Sequence, residues 1–305
     1  MKKIDIKQTD LQTSRLIYGC MRITGDGSSA ELENGKKAIT SAIDAGYNHF
    51  DHADIYAGGG SEQLFGEVIK GSSSLREKLI ITSKAGIRFA DSPNKGDVGR
   101  YDFSKSYLLN AVEGSLKRLH TEYLDMFLLH RPDYLFDPDE VAEVFSALKL
   151  SGKVNHFGVS NFSPSQLSLL QSAVDVPLVV NQVEINLHNI TSLENGTLDQ
   201  CMEKNITPMA WCPIAGIAYT AWGNTFTQAQ EQRLLAETNR QAEKYQCQPW
   251  IIAFAWLLKL PAKVCPIVGS SNEQRIWQAK QALEINYSRE DWYRLLEARN
   301  GHPVP

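Results

Sequence analysis

Eight short apolar runs, each followed by a longer amphipathic stretch, leave this chain few ways to fold. The runs are 15–19, 48–50, 79–82, 124–129, 155–160, 178–181, 207–210 and 264–268, all of strand length. The stretches between them carry apolar residues at helical spacing: 33–45, 61–70, 104–119, 138–150, 164–173, 191–204, 230–245 and 272–282. A last helix is predicted over 288–298, and polar–apolar alternation from 2 to 14 predicts a small antiparallel hairpin ahead of the first unit. Strand–helix units in unbroken order, with no Gly/Ser-rich linker, predict one (β/α)₈ barrel over residues 1–305. A doubly wound open sheet is the alternative on pattern alone, and 305 residues would equally allow two domains.

Composition narrows function rather than fold. Lys and Arg number 31 against 35 Asp and Glu, a formal charge of −4, which argues against a nucleic-acid surface. No window reaches the roughly 18 apolar residues of a membrane span; the best, 250–260, stops at Pro261. The N-terminus has no signal-like apolar core. Five cysteines, an odd number without a C-x-x-C pair, read as reduced thiols, so a cytoplasmic protein is expected.

In a barrel, residues just past each strand's carboxyl end converge on one pocket. Here these are Gly19, Asp51, Lys84, His130, Ser160 with Asn161, Gln182 and Trp211. Singly, each has a plain structural explanation: a helix cap, a solvated lysine, a core histidine. Together, on successive strand ends, they predict an active site. Two long connections, 85–103 and 215–227, fall on the same face and are expected to shape the pocket.

Four segments carry a resemblance. Phe50-Asp51-His52-Ala53-Asp54-Ile55-Tyr56, running through Gly58–Gly60 to Ser61-Glu62, resembles the FDTA-x-x-Y-G-x-SE signature of the aldo-keto reductase superfamily. So do Ile80-Ile81-Thr82-Ser83-Lys84, Leu128-Leu129-His130-Arg131-Pro132 and Gly158-Val159-Ser160-Asn161-Phe162, in the family's order and spacing. The bacterial oxidoreductases of the family are the nearest in pattern. The resemblance implies a catalytic tetrad of Asp51, Tyr56, Lys84 and His130, and an enzyme that reduces aldehydes or ketones to alcohols. A tyrosine with a reference pKa near 10 is a poor acid at neutral pH. A neighbouring Lys84 ammonium is expected to favour the phenolate and lower that pKa, with Asp51 holding the lysine and His130 orienting the substrate oxygen.

No side chain supplies a hydride, so a nicotinamide cofactor is implied. By resemblance, Ser160, Asn161 and Gln182 would bond its carboxamide and Trp211 would stack on its ring. Gly19 and Met21 would add contacts from the first loop. Trp211-Cys212-Pro213-Ile214-Ala215-Gly216 resembles the family's YSPL-x-G turn at the pyrophosphate, departing at Cys212, where serine is usual, which leaves one side-chain hydrogen bond open. Gly269, Ser270, Ser271, Arg275 and Gln278 resemble the adenosine-phosphate segment. Arg275 with Ser270 or Ser271 would grip a 2′-phosphate, favouring NADPH over NADH, although Gly269 stands where several relatives carry lysine.

Competing motifs are weaker. Gly25-Asp26-Gly27-Ser28-Ser29-Ala30 matches G-x-G-x-x-[GA] literally, but lies five residues beyond its strand instead of tightly against it. His49, Asp51, His52 and Asp54 could be metal ligands, yet lack distant histidine partners, and no metal is expected. A barely catalytic nicotinamide-binding redox sensor is the alternative function; an intact tetrad favours the enzyme. Met21, Tyr56, Phe89, Tyr101, Tyr219 and Trp222 are the expected pocket walls, the short tail 299–305 is expected to leave the pocket open, and a small carbonyl compound and a monomer are expected.

Overall fold

The computed structural model describes all 305 residues, Met1–Pro305. Eight parallel strands close into a barrel, as the alternating pattern predicts. Strands β1 (Lys3–Asp5) and β2 (Gln12–Ser14) form the predicted antiparallel hairpin, pairing Lys3 with Ser14 and Asp5 with Gln12. The barrel begins with β3 (Ile17–Gly19), β4 (His49–Asp51) and β5 (Ile80–Ala85). A second, short hairpin of β6 (Ile87–Arg88) and β7 (Arg100–Tyr101) stands inside the first long connection. The barrel continues through β8 (Leu124–Leu129), β9 (Val154–Ser160), β10 (Leu178–Glu184), β11 (Thr207–Trp211) and β12 (Cys265–Val268), and closes by pairing of β12 with β3.

Residues two apart on a strand share a face, and the inward face changes character along the barrel axis. Near the hairpin it is apolar: Ile17, Ile80, Met126, Leu128, Val180, Met209, Cys265 and Ile267 form one buried cluster, which Ile6 of the hairpin loop joins. Two residues further along the same strands come Gly19, Thr82 then Lys84, His130, Gln182, Trp211 and Gly269. The hairpin end is therefore a packed plug, and polar groups collect at the opposite mouth. Gly158 shows how tight the interior is. A Cβ there would lie 2.7 Å from both Leu128 Cδ2 and the Val180 carbonyl oxygen.

Around the barrel run α1 (Ser29–Asp44), α2 (Gly60–Ile69), α3 (Ser73–Arg76), α4 (Lys105–Arg118), α5 (Pro138–Leu150) and α6 (Pro164–Ala173). They are followed by α7 (Thr191–Glu194), α8 (Thr197–Glu203), α9 (Gln228–Tyr245), α10 (Pro249–Leu258), α11 (Glu273–Gln278) and α12 (Arg289–Asn300). Several starts are written locally. Ser163 and Thr227 make reciprocal capping boxes with Gln166 and Gln230. The stretch 191–204 divides at Gly196, whose φ of 83° breaks the helix. The stretch 272–282 passes from α11 into a 3₁₀ turn at Ala279.

Two helices are absent from the predicted set, the single turn α3 and the longer α10. The apolar window at 250–260 is α10, and every residue from Ile251 to Leu257 is buried. It is apolar all round because it is covered on every side, which hides the one-sided periodicity of a surface helix. The amphipathic α9 lies outside it and packs against both α10 and α12. Trp292 of α12 stacks on Trp256 of α10 with ring centroids 5.0 Å apart and planes 5° from parallel. No helix is long and apolar enough to cross a membrane.

Candidate active site

Lys84 is fully buried near the mouth, a costly place for an ammonium unless its charge and all its protons find partners. They do. Nζ lies 2.8 Å from each carboxylate oxygen of Asp51 and 2.8 Å from the His52 carbonyl. Asp51 also accepts from Gln182 Nε2 at 2.8 Å, so the carboxylate is held from two sides of the barrel. Burial alone would push the lysine down, but Asp51 outweighs it and the ammonium is held above its ordinary range.

The chain reaches Tyr56 by carrying the β4 pairing past its end: His52 N–H donates to the Thr82 carbonyl and Asp54 N–H to that of Lys84. Tyr56 opens a 3₁₀ turn in which Ala57, Gly58 and Gly59 all have positive φ, 51°, 61° and 92°. That run of left-handed residues turns the backbone sharply beside the pocket, and two of its three positions are glycine, the residue that tolerates such φ. The phenol ring comes to lie 5.0 Å from Lys84 Nζ, measured to the ring centroid. His130 stands edge-on to it, centroids 5.9 Å apart at 81°. The structure thus brings Asp51, Tyr56, Lys84 and His130 together.

One electrostatic expectation is corrected. The ammonium of Lys84 does pull the Tyr56 pKa down, but burial, seconded by the Asp51 carboxylate, outweighs it, and the phenol sits above its ordinary value. It is a stored proton, not a standing phenolate. His130 goes the other way. Burial, then the charges of Lys84 and Arg131, hold the imidazole well below its usual range, so it is neutral. Its Nδ1 is buried without a partner. A proton there would be stranded, which favours the tautomer protonated on Nε2.

The remaining strand-end residues form one hydrogen-bonded rim. Ser160 Oγ donates to the Gln182 carbonyl at 2.8 Å, and Asn161 Nδ2 donates to Ser160 Oγ at 2.9 Å and to the His130 carbonyl at 3.3 Å. Trp211 Nε1 donates to Asn161 Oδ1 at 2.9 Å, fixing the indole over the mouth. Asn161 adopts φ of 61°, a conformation asparagine tolerates better than most residues. Beyond Trp211, Cys212 is also left-handed, at φ 50°. Burial pushes its thiol up, partly opposed by a hydrogen bond with Tyr219. Pro213 is buried, Ile214 and Gly216 half-buried, and Met21 exposed on the first loop.

The adenosine-side candidates lie along the exit from β12. Tyr18 donates its hydroxyl proton to the Ser270 carbonyl at 3.0 Å, close to Gly19 at the end of β3. Gly269 and Ser271 are exposed, and a Cβ on Gly269 would meet nothing within 4 Å. Asn272 Oδ1 accepts from Arg275 N–H at 3.0 Å, capping α11, whose Arg275 is exposed and Gln278 half-buried. The donor set fits a nicotinamide dinucleotide: amide groups and a flat indole at the mouth, an open backbone at Gly269, and a free cation beyond it.

The competing motifs have structural employment. His49 bridges Thr13 and Thr82 through its two ring nitrogens at 2.9 and 2.7 Å, and the His52 ring packs edge-on against Phe65. The glycines at 25 and 27 lead into α1, which Ser28 caps. No group of three or more His, Cys, Asp or Glu is arranged to hold a metal ion.

The supporting roles of Glu62 and Asp54, both within the signature segment, are not legible in the sequence. Glu62 is fully buried, accepts from Ser83 Oγ at 2.5 Å and pairs with Arg118 at 2.7 Å, bracing the strand that carries Lys84. Asp54 accepts from the Tyr107 hydroxyl at 2.8 Å. Their partners lie 21 to 56 residues away, and no local spacing announces them.

Fold and site together define a class, the oxidoreductases built on a (β/α)₈ barrel. The model of the Aldo/keto reductase family matches residues 15–300, and the chain belongs to that family. It is 40% identical to the uncharacterized oxidoreductase YcsN of Bacillus subtilis (strain 168), covering 100% of both chains. It is 36% identical to a 6-dehydroglucose reductase of Agrobacterium fabrum (strain C58 / ATCC 33970), covering 96% of this chain and 97% of that one. Among solved structures it resembles the thermostable aldo-keto reductase Tm1743 in complex with the inhibitor epalrestat. The TM-score is 0.82 at 26% identity, over 98% of this chain and 100% of that one.

Proposed function

We propose that this protein is an NADPH-dependent reductase that converts aldehydes or ketones to alcohols, with Tyr56 as proton donor. The observation that carries the proposal is the fully buried Lys84–Asp51 pair beneath Tyr56 and His130. A buried charge pair is weak evidence of stability, and often costs it. Its value here is chemical: it places a fixed ammonium where a phenol must release a proton.

A reduced nicotinamide, when bound, would supply the hydride; Ser160, Asn161, Gln182 and Trp211 are the residues that would hold its ring end, with Gly19 and Met21 beside them. Cys212, Pro213, Ile214 and Gly216 would follow the pyrophosphate, and Gly269, Ser270, Ser271, Arg275 and Gln278 the adenosine phosphate. Neutral His130 donates from Nε2 to the carbonyl oxygen and orients it. As negative charge grows on that oxygen, Tyr56 gives it the hydroxyl proton. The phenolate left behind faces Lys84, whose position Asp51 and the His52 carbonyl hold, so its charge is met without reorganisation. Bulk solvent then restores the proton to Tyr56, which is only half-buried.

Tyr56→Phe tests the assignment. NADPH oxidation on an aldehyde panel should fall about 10²–10⁴-fold, while quenching of tryptophan fluorescence by NADPH stays near wild type. Full-rate reduction by that variant would show that another group donates the proton. The five free cysteines fit a reducing compartment, consistent with the cytoplasmic location proposed here.

A further inference from the structure

Nearly every charged group at the barrel mouth already has a partner. Lys84 is committed to Asp51 and His52. Glu184 accepts from the side-chain amides of Asn186 and Asn189 at 3.0 and 3.1 Å. Asp133 accepts from the backbone N–H groups of Phe103 and Leu135 at 3.0 and 2.9 Å. Arg131 is the more enclosed of two exceptions. It follows His130 at the end of β8, is half-buried, and has its guanidinium carbon 5.3 Å from the centroid of the Trp211 ring. No carboxylate lies within ion-pair distance of it and no carbonyl accepts from it.

Stacking occupies the face of a guanidinium and leaves its edge of N–H donors unspent. None of the Arg131 nitrogens is sealed away from solvent. That edge is therefore open to an acceptor brought in by a ligand. The neighbour of Arg131 in sequence is the histidine that orients the carbonyl oxygen, and its stacking partner is the indole at the mouth. The contact with Trp211 holds the guanidinium at the rim of the mouth. Arg22 stands on the same rim, 5.8 Å from the centroid of the Tyr219 ring and likewise without an acidic partner. The field of both arginines reaches Cys212, beside Trp211, where Glu184 opposes them. Although the chain is acidic overall at −4, the unpaired charge at this rim is positive.

We infer that Arg131 is a specificity-determining residue that selects carbonyl substrates bearing an oxyanion, a carboxylate or a phosphate, a few bonds from the reacting carbon. The inference rests on the reductase reading and narrows its substrate class. The guanidinium edge matches either anion in a two-point hydrogen bond, which a hydroxyl or an alkyl group cannot return.

Two matched pairs test it: succinic semialdehyde against butanal, and glyceraldehyde 3-phosphate against glyceraldehyde. In at least one pair, wild type should favour the charged member by about 10- to 100-fold in kcat/KM, with the preference shrinking as salt rises. Which pair shows it separates carboxylate from phosphate. Arg131→Met should bring that ratio near one, and Arg131→Lys should hold it between, because lysine keeps the charge but lacks the fork. Ratios near one in both pairs for wild type overturn the inference, as does a ratio that survives in Arg131→Met. Loss of NADPH fluorescence quenching in Arg131→Met would show that the residue serves the cofactor, and also overturns it. Turnover of none of the four compounds sinks the reductase reading itself, and this inference with it.

Discussion

Asp54, three residues past Asp51, lies behind Lys84: its N–H donates to the Lys84 carbonyl, and one carboxylate oxygen accepts from Tyr107 while the other is buried without a partner. Burial pushes its carboxyl up to about 6, against the opposing pull of the Tyr107 hydrogen bond. An unfolded aspartate titrates near 4, so between about pH 4 and 6 the folded state binds more proton than the unfolded one. The associated stability is full below about 4 and is lost as the pH rises through 6. Stability of wild type relative to Asp54→Asn should therefore fall by roughly 2–3 kcal/mol between pH 4 and pH 7. Urea unfolding of both proteins at the two pH values checks this, and a constant difference would contradict it. Residues of this kind mark the limit of sequence reading. Asp51, Lys84 and His130 are legible because each lies at a strand end that can be read from its apolar run, whereas Tyr56 enters only through the resemblance of segment 50–62. Asp54 and Glu62 acquire their roles from Tyr107, Ser83 and Arg118, which only folding brings near.

Helices α9 and α12 meet around one buried carboxylate. Asp291 is almost fully buried and accepts from Arg240 Nη2 at 2.9 Å, Lys244 Nζ at 2.5 Å and the Tyr245 hydroxyl at 2.6 Å. Burial alone would raise its pKa, but these hydrogen bonds hold it well below the usual carboxylate range. Asp291→Asn removes the charge on which two cations converge and should cost about 1–2 kcal/mol at pH 7, because Arg240 and Lys244 are each about half exposed and stay solvated. A depressed carboxylate stabilises above its unfolded pKa and loses that contribution as pH falls. The deficit should therefore shrink below about pH 4, as measured by denaturant unfolding across pH. The same region holds α10, the longer of the two helices missing from the predicted set. Periodicity detects elements with one wet face, such as α9, and is silent on α10, whose buried surface runs all the way round.

Across the whole molecule, the adenosine-side candidates and the tetrad are supplied by opposite parts of the chain, joined where β12 pairs with β3. A dinucleotide spanning that seam would bind the folded state alone and stabilise it, by about 2.7 kcal/mol at a hundredfold excess over Kd. NADPH should raise Tm more than NADH at equal concentration, and Arg275→Ala should erase most of the difference; equal losses for both cofactors would count against a 2′-phosphate contact. The eight strand–helix units and the strand-end groups Asp51, Lys84, His130, Gln182 and Trp211 were written in the linear pattern, because apolar runs and their period depend on neighbours along the chain. Tertiary structure decided the rest: that Tyr56 keeps its proton despite Lys84, that Gln182 turns its amide to Asp51, and that Arg131 is left without an acceptor. Charge state and hydrogen-bond partnership depend on burial and on groups distant in sequence, and neither exists until the barrel closes.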